Sequence, residues 1–388
     1  MSDADIKAGY RKHNSFVAFR QQDSEHESAI LARLIRVCAR ADLVNQLSQA
    51  HRGILGSALT DLSDDTDVSE RPMFRLSPNV VHEINTLPDE VLPRYVVHRY
   101  RYELFPYLHV VDEYPPYLQI EPTSVCNYRC VFCYETDPTF TKKSNGYMGH
   151  MSLDLFKRVI DQAEGNIEFI SLASRGEPLL CQEIEQMLAY TRGKFLNLKM
   201  NTNASLLDEN KCHAILQSGI KTLVFSADAA EEPLYSKLRV GGHLDKVLAN
   251  IERFKKIKET QYSESSIILR VSGVKFSEAQ NMASMEKLWG DLVDQVAFVA
   301  YNPWENTYSQ APSGIDAPCS DLWRRMFVWW DGKVNPCDVD YKSTLATGGL
   351  DAAALSEVWT SDNYARLRSA HLMQGRGKIE PCRRCTVI

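Results

Sequence analysis

The chain has no uninterrupted apolar run near the roughly 18 residues that a membrane helix needs, and its opening MSDADIKAGYRKHNSF has no apolar signal-peptide core. A membrane or exported protein is therefore disfavoured, and a cytoplasmic one is expected. Positive charge is not in excess either: 44 Lys and Arg stand against 50 Asp and Glu, a formal net charge of −6. Such a surface offers phosphate backbones no general attraction, which makes nucleic acid an unfavoured partner. Internal repeats and low-complexity tracts are absent as well. With 388 residues, 44% hydrophobic and 24% charged, the composition is that of a globular chain of two or three domains.

Against these absences stand ten cysteines. In a reducing compartment, thiols serve as ligands or catalysts more readily than as disulfides. Three of them, Cys126, Cys130 and Cys133, share the stretch SVCNYRCVFCYE at a C-x3-C-x2-C spacing. Four more, Cys319, Cys337, Cys382 and Cys385, lie toward the end, the last pair within PCRRC. Cys38, Cys181 and Cys212 stand singly and read as core residues.

Residues 26–51 carry apolar side chains at helical spacing, DLSDDTDVSERP reads as a loop, and an aromatic-rich segment runs from Pro78 to Tyr117. Residues 1–114 are thus expected to form an accessory, mostly helical region. From Tyr117 the pattern changes to six short β-like runs, YLQIEP, IEFISLA, LNLKMNT, TLVFSAD, IILRVSGV and QVAFVAY, separated by helical stretches. Strands joined by helical crossovers predict a parallel α/β sheet curled into a partial (β/α)6 barrel over 115–305, with ligands on the loops that follow the strands. Ser152 is the expected N-cap of the first barrel helix, and Gly219 the residue that ends a later one. In the last segment, 306–388, MFVWW-DG-KVNPC signals a hairpin and SEVWTSDNYARLRSAHL a helix.

Three thiolates on a loop at the barrel mouth are an incomplete ligand set, since a structural zinc or a ferredoxin-type cubane has four. An open cluster, a zinc site borrowing a distant ligand, a redox pair at Cys130 and Cys133, and inert cysteines all remain open on spacing alone. C-x3-C-x2-C after the first strand resembles the radical S-adenosylmethionine (SAM) superfamily. There the three cysteines hold a [4Fe-4S] cluster whose fourth iron binds the amino and carboxylate groups of SAM. Further segments continue the resemblance: SRGEP after the second strand, NTN after the third and FSAD after the fourth. The resemblance implies that Tyr134, Gly176, Glu177, Pro178, Asn201, Ser226, Asp228 and Arg239 contact the cofactor. Arg175 departs from it, standing where the family commonly has a small residue.

On spacing, the tail cysteines could hold zinc or a cubane. Together with the first group, C-x12-G-x4-C, an EVW helix and a terminal CxxC resemble the twitch domain, a shortened SPASM domain with one auxiliary [4Fe-4S] cluster ligated by all four cysteines. The resemblance implies reductive cleavage of SAM, hydrogen abstraction from a substrate C–H bond, and an auxiliary cluster that takes up an electron from a small carbohydrate-like or nucleotide-sugar substrate. A peptide-modifying enzyme and a non-catalytic metal or electron-carrier module are the alternatives. An electron donor such as flavodoxin or ferredoxin is an implied partner. Arg175, Asn203, Arg270 and Tyr301, at expected strand ends, are the substrate-contact candidates. The basic residues Arg366, Arg368, His371, Arg376, Lys378, Arg383 and Arg384 either receive an anionic substrate or form a solvated surface.

Overall fold

A computed structural model describes residues 12–13, 24–64 and 71–387. The chain's opening and the middle of the acidic DLSDDTDVSERP stretch lie outside the described residues. The amphipathic segment expected over 26–51 is divided. Helix α1 (Ser24–Cys38) stops before a short α2 (Ala41–Val44), and α3 (Gln49–Ser63) starts afresh where the Ser48 side chain accepts a hydrogen bond from the His51 amide. Two more helices follow, α4 (Pro78–Thr86) and α5 (Leu92–Leu108). The apolar faces of these five share one core of their own, which includes Leu34, Leu55, Phe74, Ile84 and Val96.

Six parallel strands then run side by side in chain order: β1 (Tyr117–Ile120), β2 (Phe169–Leu172), β3 (Asn197–Thr202), β4 (Ile220–Ser226), β5 (Ile268–Lys275) and β6 (Gln295–Ala300). The helices α6 (Leu153–Ala163), α7 (Ile184–Tyr190), α8 (Glu209–Gln217), α9 (Leu244–Gln261) and α10 (Met282–Gly290) fill the crossovers. This is the expected partial (β/α)6 barrel. Ser152 caps α6 by accepting from the Leu155 amide, and Leu155, Phe156, Val159, Ile160 and Ala163 form its buried face. Gly219 has the left-handed φ of 86° that turns the chain from α8 into β4.

Strand alternation decides what the barrel encloses. Along β3, Leu198, Met200 and Thr202 are buried, while Asn197, Lys199 and Asn201 are half-buried; along β5, Leu269 and Val271 are buried and Arg270 and Ser272 half-buried. Lys199, Asn201, Arg270 and Ser272 line the internal cavity. Because successive side chains point to opposite faces, the apolar set meets the helices and the polar set lines the lumen. The lumen is therefore a chamber rather than a packed core, lined by these polar side chains together with apolar ones such as Val224, Ala297 and Val299.

The tail continues the sheet. Its first strand, β7 (Arg325–Val328), pairs in parallel with β1, from Arg325 opposite Tyr117 to Val328 opposite Ile120. The expected hairpin at Asp331-Gly332 leads to β8 (Lys333–Asn335), and β8 pairs with the short β9 (Gly348–Gly349). The helix expected over SEVWTSDNYARLRSAHL is two, α11 (Leu355–Trp359) and α12 (Asp362–Leu372), because the Ser361 side chain accepts from the Tyr364 amide and begins a second helix. Leu355, Val358, Trp359 and Tyr364 belong to the barrel's own core cluster.

Helix α5 lies against the starts of the strands. His98 stacks on Phe169 at 3.7 Å, Arg94 makes a bidentate pair with Glu168 at 2.7 Å for both contacts, and the Tyr102 hydroxyl accepts from Arg325 at 3.0 Å. The N-terminal helices thus cover the barrel floor. Among the described residues no helix is long and apolar enough to cross a membrane. Phe169→Ala removes the aromatic that joins the N-terminal core to β2 and is expected to cost about 3–5 kcal/mol of stability. A urea titration measures this, and a loss below about 1 kcal/mol would mean that the floor helices are not anchored there.

Candidate functional site

The loop after β1 carries the first cysteine group across the mouth. Gly149 anchors its start: the Gly149 carbonyl accepts from the Thr123 hydroxyl at 2.9 Å and from the Ser124 amide at 3.1 Å, and the Gly149 amide donates to the Ser124 hydroxyl at 2.8 Å. Farther along, Arg129–Cys130 pairs antiparallel with Arg239–Val240. Cys126, Cys130 and Cys133 all line a cavity of about 410 Å³ that continues into the lumen. Burial pushes the Cys126 thiol up to about 12, and Cys130 and Cys133 rise too, the last through burial and then its two neighbours. A redox-active cysteine needs the opposite shift. The three thiols are suited to metal ligation, where the metal's charge displaces the proton.

Two donors already point at these sulfurs. The Tyr128 amide lies 3.5 Å from Cys126 Sγ, and the Arg239 guanidinium lies 3.7 Å from Cys130 Sγ. Among the described residues no three His, Cys, Asp or Glu side chains close around a single ion. A thiol triad beside N–H donors, on the wall of a larger cavity, fits a polynuclear cluster with one position left over.

Behind the triad, the loops after β2 and β3 are tied together. The Glu177 carboxylate accepts from the Leu179 amide at 3.1 Å, the Thr202 hydroxyl at 2.6 Å and the Asn203 amide at 2.6 Å, while the Glu177 amide donates to the Val125 carbonyl at 2.9 Å. Glycine is required at 176 by the backbone packed against it. A Cβ there would lie 2.4 Å from the Thr123 carbonyl oxygen and 2.6 Å from that of Val125. Asn203 donates to Asn127 at 3.0 Å, and Asn127 donates to Ser205 at 2.9 Å, fastening the cysteine loop to the β3 end.

Arg175, a substrate-contact candidate, lines the same cavity, and its guanidinium is also held by protein partners. It is buried in a bidentate pair with Glu121 at 2.5 and 2.7 Å, donates to the Tyr341 carbonyl at 2.8 Å, and lies 4.2 Å over the Trp329 ring. Glu121 also receives the Trp330 amide at 3.3 Å. The pair joins the β1 end, the β2 loop and the tail, and sequence reading missed Glu121. An acid and a base after adjacent strands were the available signal.

The remaining candidates divide. Tyr134, Gly176, Glu177, Asn201, Asn203, Ser226, Arg239 and Arg270 line the cavity with the triad. The Tyr134 ring stacks 4.9 Å from Tyr341, and its hydroxyl donates to the Ser174 carbonyl at 3.1 Å. Pro178 and Asp228 are buried off the cavity wall. Asp228 sits 2.6 Å from Arg239 in a charge contact without hydrogen-bond alignment and accepts the Val274 amide at 2.6 Å. Arg270 is deeper than expected. Its strand begins at Ile268, so Arg270 is near the floor, where it donates to Gln295 at 2.6 and 2.8 Å. Tyr301 lies off the wall and donates its hydroxyl to Glu305. Lys199 and Arg325 also line the lumen, and neither was anticipated.

Cys319, Cys337, Cys382 and Cys385 converge on a second, smaller pocket, whose wall includes Asp321, Val339 and Val387. Those same three residues line the barrel cavity. Burial pushes Cys319 up to about 12 and raises the other three as well. A donor reaches this set too, since the Val387 amide lies 3.4 Å from Cys385 Sγ. Four thiols around one buried pocket fit a closed cluster. The tail's basic residues are mostly structural. Arg368 lies 4.2 Å over Trp359, Arg376 donates to the carbonyls of Ala317, Cys382, Cys385 and Val387, and Arg383 and Arg384 both pair with Glu380. Arg366 and Lys378 are exposed. Cys38, Cys181 and Cys212 are buried in the cores, as expected.

Two family models match: "Radical SAM superfamily" over residues 120–280 and the SPASM "iron-sulfur cluster-binding domain" over 319–386. The chain is 26% identical over 174 residues to a GTP 3′,8-cyclase of Clostridium botulinum, covering 44% of this chain and 52% of that protein. It thus spans about half the length of that relative. A tungsten-containing aldehyde ferredoxin oxidoreductase cofactor-modifying protein of Pyrococcus furiosus is 24% identical over 308 residues, 65% of this chain and 83% of its own. Among solved structures, native anSMEcpe with bound AdoMet superposes with a TM-score of 0.50 at 18% identity, over 70% of this chain and 88% of that one.

Arg175→Met leaves Glu121 buried without its cation and is expected to cost about 3–5 kcal/mol in urea denaturation. The double variant Glu121→Leu/Arg175→Met should recover most of that loss; equal losses would show that the ion pair is not the cause. Gly176→Ala should cut the iron bound by the barrel while the tail keeps its own. Unchanged iron content would refute the requirement for glycine.

Proposed function

We propose that this chain, a member of the radical SAM superfamily that carries a SPASM iron-sulfur domain, oxidises a small polar substrate in its barrel lumen with an auxiliary cluster as electron acceptor. Cys126, Cys130 and Cys133 would hold the SAM-binding [4Fe-4S] cluster, and Cys319, Cys337, Cys382 and Cys385 the auxiliary one. When bound, the first cluster and SAM supply a 5′-deoxyadenosyl radical that takes hydrogen from a C–H bond. The chain's own residues do the rest. The mouth loops orient the cofactor, with Glu177 holding the loops after β1, β2 and β3 in one frame. Arg239 contributes positive charge beside Cys130. The N-terminal helices under the lumen keep water from entering through the floor.

One observation carries the reading: the three-cysteine cavity and the four-cysteine pocket share Asp321, Val339 and Val387 as a wall. A substrate in the lumen would lie between the two ligand sets, where a hydrogen leaves on one side and an electron on the other. The cavity's size, about 410 Å³, and its cationic side chains support a small substrate over a peptide. Lys199, Arg270 and Arg325, with Gln119, Ser171 and Gln295 on the adjoining strands, suit a hydroxylated molecule bearing a phosphate or carboxylate, such as a nucleotide sugar. We place the protein in the cytoplasm, with flavodoxin or ferredoxin as electron donor, and keep the division into 1–114, 115–305 and 306–388.

Anaerobic reconstitution tests this. About eight irons per chain and 5′-deoxyadenosine formation with a reductant and SAM are expected. Cys126→Ala should abolish 5′-deoxyadenosine, whereas Cys382→Ala should spare it and lose oxidised product. Zinc without iron, or identical behaviour of the two variants, would overturn the reading.

A further inference from the structure

His371, on α12, is 1% exposed and its ring lines the four-cysteine pocket. Its Nδ1 accepts the backbone N–H of Cys319 at 3.3 Å. An imidazole nitrogen that accepts carries no proton, so the ring is neutral and its hydrogen sits on Nε2. Nε2 is buried and has no hydrogen-bond partner among the described residues. A buried N–H left unpaired is costly, and the pocket beside it is where a cluster's sulfurs would lie. Arg376, also 1% exposed, spends its donors on four backbone carbonyls, two of them from Cys382 and Cys385, and has no carboxylate within ion-pair distance among the described residues. Its charge therefore stays close to the pocket, while Asp321, on the same wall, pairs with Arg325 at 3.4 Å.

We propose that His371 donates its Nε2 hydrogen to a sulfur of the auxiliary cluster and so raises that cluster's reduction potential. This rests on the proposed function above, in which the four tail cysteines hold the cluster. A hydrogen bond to cluster sulfur withdraws negative charge and stabilises the reduced form, whose sulfurs are the better acceptors. Because the bond is stronger to the more negatively charged sulfurs of the reduced cluster, that difference is expected to shift the reduction equilibrium about tenfold. His371 is thus a positioning residue for electron transfer, biasing the cluster towards accepting an electron. Its geometry does not depend on SAM or substrate.

The full chain with Cys126, Cys130 and Cys133 all changed to Ala, reconstituted anaerobically, isolates the auxiliary cluster for an EPR-monitored redox titration. His371→Phe in that background should lower the midpoint potential by about 59 mV, the one-electron equivalent of tenfold, with iron content unchanged. His371→Gln, which keeps an N–H, should restore part of the shift. An unchanged midpoint with the cluster loaded overturns the inference. Absence of iron from the parent background overturns the ligand assignment instead, so the two failures are distinct. If His371→Phe does not load, chain with histidine-only 15N labelling and intact His371 decides. Weak, through-space nitrogen coupling to the reduced cluster supports the hydrogen bond; strong coupling, as from an iron-bound nitrogen, or none, overturns it.

Discussion

The buried ion pair between Glu121 and Arg175 is the constraint on which the site depends. Two charges taken from water cost several kcal/mol each, and here the contacts that offset this come from three directions. Arg175 meets Glu121, the Tyr341 carbonyl and the Trp329 ring, while Glu121 also meets the amides of Arg175 and Trp330. Residue 121 directly follows the end of β1, residue 175 lies three positions beyond the end of β2, and 329, 330 and 341 belong to the tail. The pair is satisfied only when barrel and tail are docked. Cys126 begins five residues after Glu121, so the position of the triad is set by the same docking.

Glu177 and Gly176 complete that frame at the other side of the loop. A carboxylate that receives three hydrogen bonds from neighbouring loops holds them in one register, and a glycine admits the cysteine loop against the β2 loop without a Cβ between them. Strand alternation supplies the rest. The side of each strand that meets helices is apolar, which leaves Lys199, Asn201, Arg270 and Ser272 to face a chamber closed below by α5.

Much of this was legible because it is local. The triad's spacing, the alternation of strand and helix, the Ser152 cap and the Asp331-Gly332 hairpin each depend on a few adjacent residues. What escaped depends on distant partners. Arg175 reads as a free cation until Glu121, 54 residues earlier, is placed beside it. Arg270 reads as a mouth residue until the start of β5 at Ile268 fixes its depth. His371 is one basic residue among seven until the tail folds it onto Cys319, and the helices before Tyr117 reveal apolar faces without revealing that they cover a barrel floor.

The central claim is that the two cysteine groups hold clusters of different kind, one open to SAM and one closed. EPR of the reconstituted, reduced full chain with and without SAM tests this most directly. The account predicts two [4Fe-4S]+ signals, of which one changes on adding SAM and the other does not. A spectrum in which neither signal responds, or both do, would contradict it.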